Sequence, residues 1–115
     1  MGRFHGGVAI DHPAFQSLQR LIDTGRVWIK LSAPYPPISA EPPPYPTIGR
    51  MAKALIAQAP ERCLWGTNWP HPVTQAPDEA VLLDLLLEWA PEEKLRQRIL
   101  VDNPTALYGF PSALK

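Results

Sequence analysis

The stretch RCLWGTNWPHP, residues 62–72, begins as a short apolar run and continues into a loop that contains Asn68 and His71. Apolar runs of this length that end in glycine or proline are typical of buried strands. A second such run, VWIKL at residues 27–31, ends at Ser32. The sequence therefore predicts two short strands, each followed by a loop with polar side chains.

Amphipathic helical patterns surround these strands. Apolar residues recur at three- and four-residue spacing over residues 13–25, 47–59, 78–89 and 92–101. Asp11 and Thr47 are candidate N-caps of the first two helices, Gly25 suits the left-handed position after the first, and Pro60 ends the second. The predicted order is αβαβαα with a short terminal helical turn. Strands that alternate with helices indicate the α/β class and a parallel sheet.

Two features make this α/β domain unusual. Two parallel strands cannot enclose a core, so the sheet is incomplete. Seven of the fifteen prolines fall in residues 34–46, where fixed φ and missing amide hydrogens predict a long extended loop. Within it, residues 42–45 (PPPY) match the Pro-Pro-x-Tyr pattern that aromatic grooves recognise as polyproline II.

The charge of the chain is balanced, with eleven Lys and Arg residues against eleven Asp and Glu. A neutral surface attracts neither nucleic acid nor an anionic membrane, so neither partner is expected. The single Cys63 excludes an internal disulfide and favours a reducing, cytoplasmic setting. The longest apolar stretch, residues 80–87, is interrupted by Asp84 and is far below the ~20 residues that span a bilayer, so no membrane segment is expected.

Four ordered motifs carry a family resemblance: MGRF, VWIKLSAPY, RCLWGTNWPHP and RILVDNPTALYGF. Together they resemble the amidohydrolase-related family of metal-dependent hydrolases, most closely the 2-pyrone-4,6-dicarboxylate hydrolases, over essentially the whole chain. The resemblance implies a (β/α)8 barrel, which needs about 250 residues. Residues 27–32 would form the seventh strand and residues 63–68 the eighth. Residues 1–115 would then be the C-terminal part of a TIM-barrel domain.

The resemblance also implies an active site at the carboxyl ends of the strands. The family uses a His-x-His pair after the first strand, a His after the sixth and an Asp after the eighth. This sequence contains no His-x-His. The sixth-strand His precedes a Met-Gly-Arg that matches the start of this chain, so Met1 is expected to be an internal methionine. Asn68 occupies the Asp position, and an amide cannot act as general base near neutral pH. That catalytic position is therefore predicted to be disabled.

The family's substrate carries two carboxylates, which guanidinium groups bind in a bidentate manner. Arg3 matches one family arginine. A second is expected after a Leu-Ser-Gly-Pro-Tyr stretch, but here Pro36 follows LSAPY. Ser32, Tyr35 and His71 remain as substrate-binding candidates at the rim of the site.

Each candidate also has a plainer interpretation. Asn68 is suited to a turn, and His71 is equally suited to bonding its own loop. Trp65 and Trp69 are expected to pack rather than to stack on substrate. Cys63 and the three histidines show no metal-ligand spacing. No metal or other cofactor is therefore expected in this chain, although some family relatives bind a divalent metal such as zinc.

Two functions remain open. In the first, the chain derives from a hydrolase that opens the lactone of a small carboxylated ring, and it is inactive alone. In the second, it is an interaction or structural fragment that docks on a companion half or offers its proline-rich loop to a partner. In a partial barrel, apolar helix residues are expected to be uncovered and to promote self-association, namely Val81, Leu82, Leu85 and Leu86.

Overall fold

In a computed structural model, the described residues are 1, 2, 4, 8–35, 41–73, 75 and 77–111. Helices and short strands alternate before a helical carboxyl-terminal part. The elements are α1 (Pro13–Asp23), β1 (Ile29–Leu31), α2 (Pro46–Gln58), a 3-10 turn (Pro60–Arg62), β2 (Cys63–Trp65), α3 (Glu79–Trp89), α4 (Glu93–Gln97), a π-helical turn (Arg98–Asp102) and α5 (Asn103–Tyr108).

The two strands pair in parallel, with Ile29 opposite Cys63 and Leu31 opposite Trp65. Helix α2 forms the crossover that parallel neighbours require. Both strands are shorter than predicted. The 3-10 turn Pro60–Arg62 precedes β2 directly, so the residues before Ile29 have no strand opposite them. The fold is thus a partial α/β arrangement with a two-stranded parallel sheet.

The helices cover one face of this sheet. Ile29, Leu31 and Cys63 belong to the buried core, whereas Lys30 between them is exposed. The helices contribute most of the remaining core, including Phe15, Ile22, Met51, Leu55, Ile56, Leu82, Leu86, Trp89 and Ile99. On the opposite face, Lys30 and Leu64 line an open cleft. The sheet therefore has a packed helical side and an open side.

Both predicted N-caps are wrong. Helix α1 is capped by His12, whose Nδ1 accepts from the Ala14 backbone N at 3.1 Å. Helix α2 begins at Pro46, with Tyr45 at the N-cap position and Thr47 already inside the helix. In each case a proline occupies the first helical position, where its fixed φ sets the start of the helix. The left-handed Gly25 after α1 is confirmed, with φ +71°.

The segment expected to be extended is partly a turn. Residues 36–40 lie outside the described residues. At residues 42–45, the Tyr45 N–H donates to the Pro42 carbonyl at 2.9 Å, and the Tyr45 side chain is buried. A groove that binds polyproline II requires an extended, accessible motif. The fold therefore contradicts the hypothesis that PPPY serves as a peptide ligand.

The helix expected over residues 92–101 is interrupted by the π-helical turn Arg98–Asp102. Pro104 lacks an N–H and its ring would clash with the carbonyl four residues earlier, at Leu100, in a regular α-helix. A wider turn accommodates the proline. The chain then continues as α5, which ends at Gly109 with φ +69°.

The uncovered apolar surface differs in part from the expectation. Val81 is exposed as predicted, whereas Leu82, Leu85 and Leu86 are buried in the core. These three pack because α3 faces the other helices rather than a missing strand. Instead, α3 exposes Leu83 and Leu87. Among the described residues, no helix is both long and apolar enough to cross a membrane.

Candidate functional site

Two loops lie side by side beyond the carboxyl ends of β1 and β2, because parallel strands end at the same edge of a sheet. Tyr35 lies on the loop after β1, and Asn68 on the loop after β2. The Asn68 Nδ2 donates to the Tyr35 hydroxyl at 2.9 Å. The same hydroxyl lies 2.7 Å from His71 Nδ1. The structure thus brings three sequence-predicted residues together.

A fourth residue, Glu79, completes this group. Its Oε1 lies 3.0 Å from His71 Nε2, and it is the first residue of α3. The His71 side chain is only 4% exposed, whereas the Glu79 side chain is 52% exposed. Within the described part of the chain, the partners of His71 are therefore on the loop after β1 and on α3, whereas the plainer interpretation placed them in its own loop. Sequence reasoning missed Glu79, whose only signal was an acidic residue at a helix start.

The backbone of both loops includes left-handed positions. Asn68 has φ +74° and Ala33 has φ +52°. Asparagine adopts this region more readily than other non-glycine residues, so the turn interpretation of Asn68 agrees with its backbone. Ala33 stands in LSAPY where the resembled motif has glycine. Its Cβ is strained at this φ, and this strain is local to the site.

The other predicted residues have different places. Arg3 lies outside the described residues. Ser32 directly follows β1 and is half-buried, but it is not part of the hydrogen-bonded group. Trp65 packs against the core, as expected. Trp69 is 75% exposed, so its predicted packing role is wrong. It is the residue after Asn68, on the solvent side of the loop.

An open cleft of about 350 Å³ lies against the sheet face that the helices leave uncovered. Its polar lining includes Lys30, Thr67 and Asn68, and its apolar lining includes Trp65 and Tyr108. The Lys30 ammonium group and the Asn68 side-chain amide, which both line the cleft, can each interact with a carboxylate. The cleft thus joins the exposed end of the hydrogen-bonded group to a cationic side chain.

The described residues do not fit a metal ion, because none of their His, Cys, Asp and Glu side chains form a group of three able to hold one. Cys63 is the buried first residue of β2. Burial, more than the nearby Glu61 carboxylate, raises the pKa of its thiol to about 12. The thiol is therefore neutral near pH 7. A neutral buried thiol is neither a nucleophile nor a metal ligand.

The fold and the motifs can be compared with known proteins. A family model described as amidohydrolase matches residues 4–110. The chain belongs to the amidohydrolase family. This confirms the resemblance found in its sequence motifs. The amidohydrolase match includes both strands and all five helices.

Three curated proteins resemble this amidohydrolase chain and are named as an isomerase or hydrolases. D-galactarolactone isomerase of Agrobacterium fabrum is 40% identical over 93% of this chain and 38% of its own length. 4-Sulfomuconolactone hydrolase of Hydrogenophaga intermedia is 40% identical over 94% of this chain and 37% of its own. 2-Pyrone-4,6-dicarboxylate hydrolase of Comamonas testosteroni is 36% identical over 71% and 30%. The chain thus spans less than two-fifths of these relatives.

This chain also spans about two-fifths of the solved structures that it resembles. A structure from Agrobacterium tumefaciens superposes with a TM-score of 0.82 at 39% identity, over 95% of this chain and 39% of that one. A structure from Acinetobacter baumannii gives a TM-score of 0.80 at 23% identity, over 95% and 41%. The second likeness concerns the fold alone. The partial α/β arrangement therefore recurs as a portion of these two larger chains.

Proposed function

We propose that this chain is the part of a lactone-acting amidohydrolase barrel that comprises its last two βα units and closing helices. The observation that carries the proposal is the meeting of Tyr35, Asn68 and His71 beyond the carboxyl ends of neighbouring parallel strands. Barrel enzymes build their active sites at this end of the strands. The names of the three curated relatives all refer to a lactone or a pyrone, which is itself a cyclic ester.

The edge of β1 away from β2 supports this placement. The Met1 nitrogen donates to the Lys30 carbonyl at 3.0 Å. In a parallel strand, residues alternate between the two neighbours, and Leu31 bonds on the β2 side through Gly66 at 3.4 Å. The main chain at Met1 thus occupies the side of β1 where the preceding strand of a barrel would pair. This arrangement makes β1 an internal strand of the proposed larger sheet.

The proposed substrate is a small ring that carries a carboxylate and an ester carbonyl. In hydrolysis, a general base takes a proton from water as the water oxygen attacks this carbonyl. The bond between the carbonyl carbon and the ring oxygen then breaks, and the leaving ring oxygen takes up the proton. Asn68 occupies the position of the base. Its amide can hold the water by a hydrogen bond but has no basic carboxylate to accept the proton. The chain alone is therefore proposed to be inactive.

The first test uses the purified chain with 2-pyrone-4,6-dicarboxylate and measures the loss of ultraviolet absorbance. We expect no rate above that of buffer. The second test joins the amino-terminal part of the Hydrogenophaga intermedia relative to this chain, with and without Asn68→Asp. A restored base should increase the rate by about 10²- to 10⁴-fold.

Asn68→Ser in the same chimera is the matched control, because serine is small and polar but is not a carboxylate. It should leave the rate at the level of Asn68. Turnover by the unmodified chain alone would contradict the inactivity proposal. Equal rates for Asn68→Asp and Asn68→Ser would show that residue 68 is not the position of the base.

A second candidate function is a non-catalytic fragment that associates with a companion half or with itself. The observation that favours it is the exposed apolar surface of Leu83, Leu87 and Leu100, together with the open face of the sheet. Contiguous exposed apolar surface is typical of interaction sites. Sedimentation of the purified chain over a range of concentrations tests this candidate. A monomer at every concentration, alone and with the companion half, would contradict it.

A further inference from the structure

Four side chains form one continuous chain of hydrogen bonds. Asn68 Nδ2 donates to the Tyr35 hydroxyl at 2.9 Å, this hydroxyl lies 2.7 Å from His71 Nδ1, and His71 Nε2 lies 3.0 Å from Glu79 Oε1. Asn68 lines the open cleft, whereas the His71 side chain is 4% exposed. The chain of bonds therefore connects the cleft with the first turn of α3 through a buried imidazole.

With a neutral imidazole, the donors and acceptors give this chain of hydrogen bonds a single direction. The Glu79 carboxylate can only accept, so the hydrogen between it and His71 is on Nε2. In a neutral imidazole, Nδ1 then has a lone pair and accepts the single hydrogen of the Tyr35 hydroxyl. The Tyr35 oxygen in turn accepts from an amide N–H of Asn68. Every bond is satisfied when His71 is neutral and Asn68 is an amide.

We propose that residue 68 sets the protonation state of His71 through Tyr35, and that Glu79 is the positioning residue that fixes the direction of the chain. An aspartate at position 68 could only accept, so Tyr35 would donate to it. The Tyr35 oxygen would then accept from Nδ1–H, while Nε2–H still donates to Glu79. His71 would carry hydrogens on both nitrogens, and the additional proton would come from water.

The surroundings of His71 leave few other groups to supply or remove a proton. The titratable groups that contact the ring within the described part of the chain are Tyr35, from the loop after β1, and Glu79, from α3. Tyr45 is near Tyr35, and burial raises the pKa of Tyr45, so it stays neutral. Asp78 caps α3 by accepting from the Ala80 N–H at 2.7 Å. Tyr35 and Glu79 are therefore the titratable groups through which residue 68 is proposed to act on His71.

This inference goes beyond the proposed function, because it rests on hydrogen bonds of the chain and not on turnover. At the site, the proposal implies that His71 is neutral when residue 68 has an amide side chain. A carboxylate there would be matched to a positively charged His71, with Tyr35 as the donor between them. Residue 68 therefore changes the charge of a second side chain as well as its own.

The experiment is ¹⁵N NMR of the imidazole nitrogens in the full chain labelled at histidine, recorded at pH 7. The His71 signals are assigned by their loss in His71→Gln. In the unmodified chain we expect a neutral ring with its hydrogen on Nε2. In Asn68→Asp we expect hydrogens on both nitrogens at pH 7. His12, which caps α1, serves as an internal reference that does not change.

A double variant reverses the direction of the chain. In Asn68→Asp with Glu79→Gln, the glutamine carries no negative charge and its amide nitrogen can donate to the ring Nε2, so a hydrogen on Nε2 is no longer required. We expect a neutral ring with its hydrogen on Nδ1, the form that isolated histidine disfavours. Glu88→Gln in the Asn68→Asp background is the matched control, since Glu88 pairs with Lys53 instead. It should leave both His71 nitrogens protonated.

Tyr35→Phe with Asn68→Asp separates the hydrogen-bond chain from a charge effect through space. Without the hydroxyl the link is cut, and His71 should return to the neutral Nε2–H form. Persistent double protonation there would overturn the proposal, as would a doubly protonated His71 in the unmodified chain or an unchanged ring in Asn68→Asp. If removal of the Tyr35 hydroxyl prevents folding, the Asn68→Asp and Glu79→Gln variant decides alone: only the Nδ1–H form supports the proposal.

Discussion

The Glu41 carboxylate accepts two hydrogen bonds from Thr47, one from the backbone N at 2.8 Å and one from Oγ1 at 2.7 Å. The residue at the N-cap position of α2, Tyr45, makes no side-chain cap bond. Glu41 therefore satisfies a backbone donor at the start of α2 from outside the helix. The hydrogen bonds from the Thr47 side chain, and then from its backbone, lower the pKa of Glu41 below its ordinary value of 4.5.

The first prediction concerns the pH dependence of this contact. Because the pKa of Glu41 is lowered in the folded chain, its stabilisation is present above pH 4.5 and is lost as the pH falls through the folded value. Glu41→Gln should lower the urea midpoint at pH 7, and the difference from the unmodified chain should vanish in acid. Glu92→Gln is the control, since Glu92 makes no side-chain cap bond. A Glu41→Gln effect independent of pH would refute the assignment.

The second prediction concerns Asn103, which is buried at the start of α5. Its Nδ2 donates to the Pro60 carbonyl at 2.7 Å and to the Cys63 carbonyl at 2.8 Å. Asn103→Ala should lower the free energy of unfolding by about 1–3 kcal/mol, because two carbonyls lose their donor. Urea unfolding measures this change. The exposed Gln97→Ala should stay within about 0.5 kcal/mol of the unmodified chain, and equal losses in both variants would contradict the role of Asn103.

The third prediction concerns Ala33, whose φ is +52°. Ala33→Gly should raise the free energy of unfolding by about 1 kcal/mol, because the strain of a Cβ at positive φ is removed. Ala57→Gly, on the exposed side of α2, should instead lower it by about 0.5–1 kcal/mol. Thermal unfolding of both variants measures the contrast. A loss of stability in Ala33→Gly would show that the loop does not hold a left-handed residue there.

The fourth prediction concerns the reactivity of Cys63. The residue is 1% exposed, and burial raises the pKa of its thiol to about 12. A thiol reagent at pH 8 should therefore label the folded chain only as fast as it unfolds, and the urea-unfolded chain at once. Ser17→Cys in a Cys63→Ala background places a thiol on the exposed side of α1 and should react immediately. Rapid labelling of Cys63 in the folded chain would contradict its burial in the core.

The fifth prediction concerns the apolar surface of α3. Leu83→Glu with Leu87→Lys should shift the chain toward monomer in sedimentation experiments, because two exposed apolar side chains are removed at constant net charge. Gln16→Glu with Gln97→Lys introduces the same charges at exposed polar positions and should leave association unchanged. Equal association of all three proteins would show that this surface is not an interface.

Local features of the fold could be predicted from the sequence, since each depends on neighbouring residues. The apolar period of α1, its end at Gly25 and the extent of α3 are of this kind. The caps of α1 and α2 were missed because a proline at the first helical position determines where each helix begins. The turn at Arg98–Asp102 was missed because the apolar period continues through it.

The candidate site also combines features that the sequence predicts with contacts that depend on tertiary packing. Asn68 and His71 could be selected because they belong to the motif RCLWGTNWPHP, and Tyr35 because it belongs to VWIKLSAPY. The contact between His71 and Glu79 could not be predicted, since it depends on how α3 packs beside the loop after β2. The burial of Tyr45 likewise depends on tertiary packing. Because Tyr45 is buried, residues 42–45 (PPPY) are not accessible as a peptide ligand, although their sequence matches the pattern.

The parallel register of the sheet also has a kinetic consequence. Ile29 pairs with Cys63, and all of α2 lies between them in the chain. No local hairpin can bring β1 and β2 together, so their pairing must wait until a long loop is closed. We therefore expect α1 and α2 to acquire structure before the strands do. The rate at which this chain folds would then be set by the docking of α2, and the loops that carry Tyr35 and Asn68 would meet only in the last step.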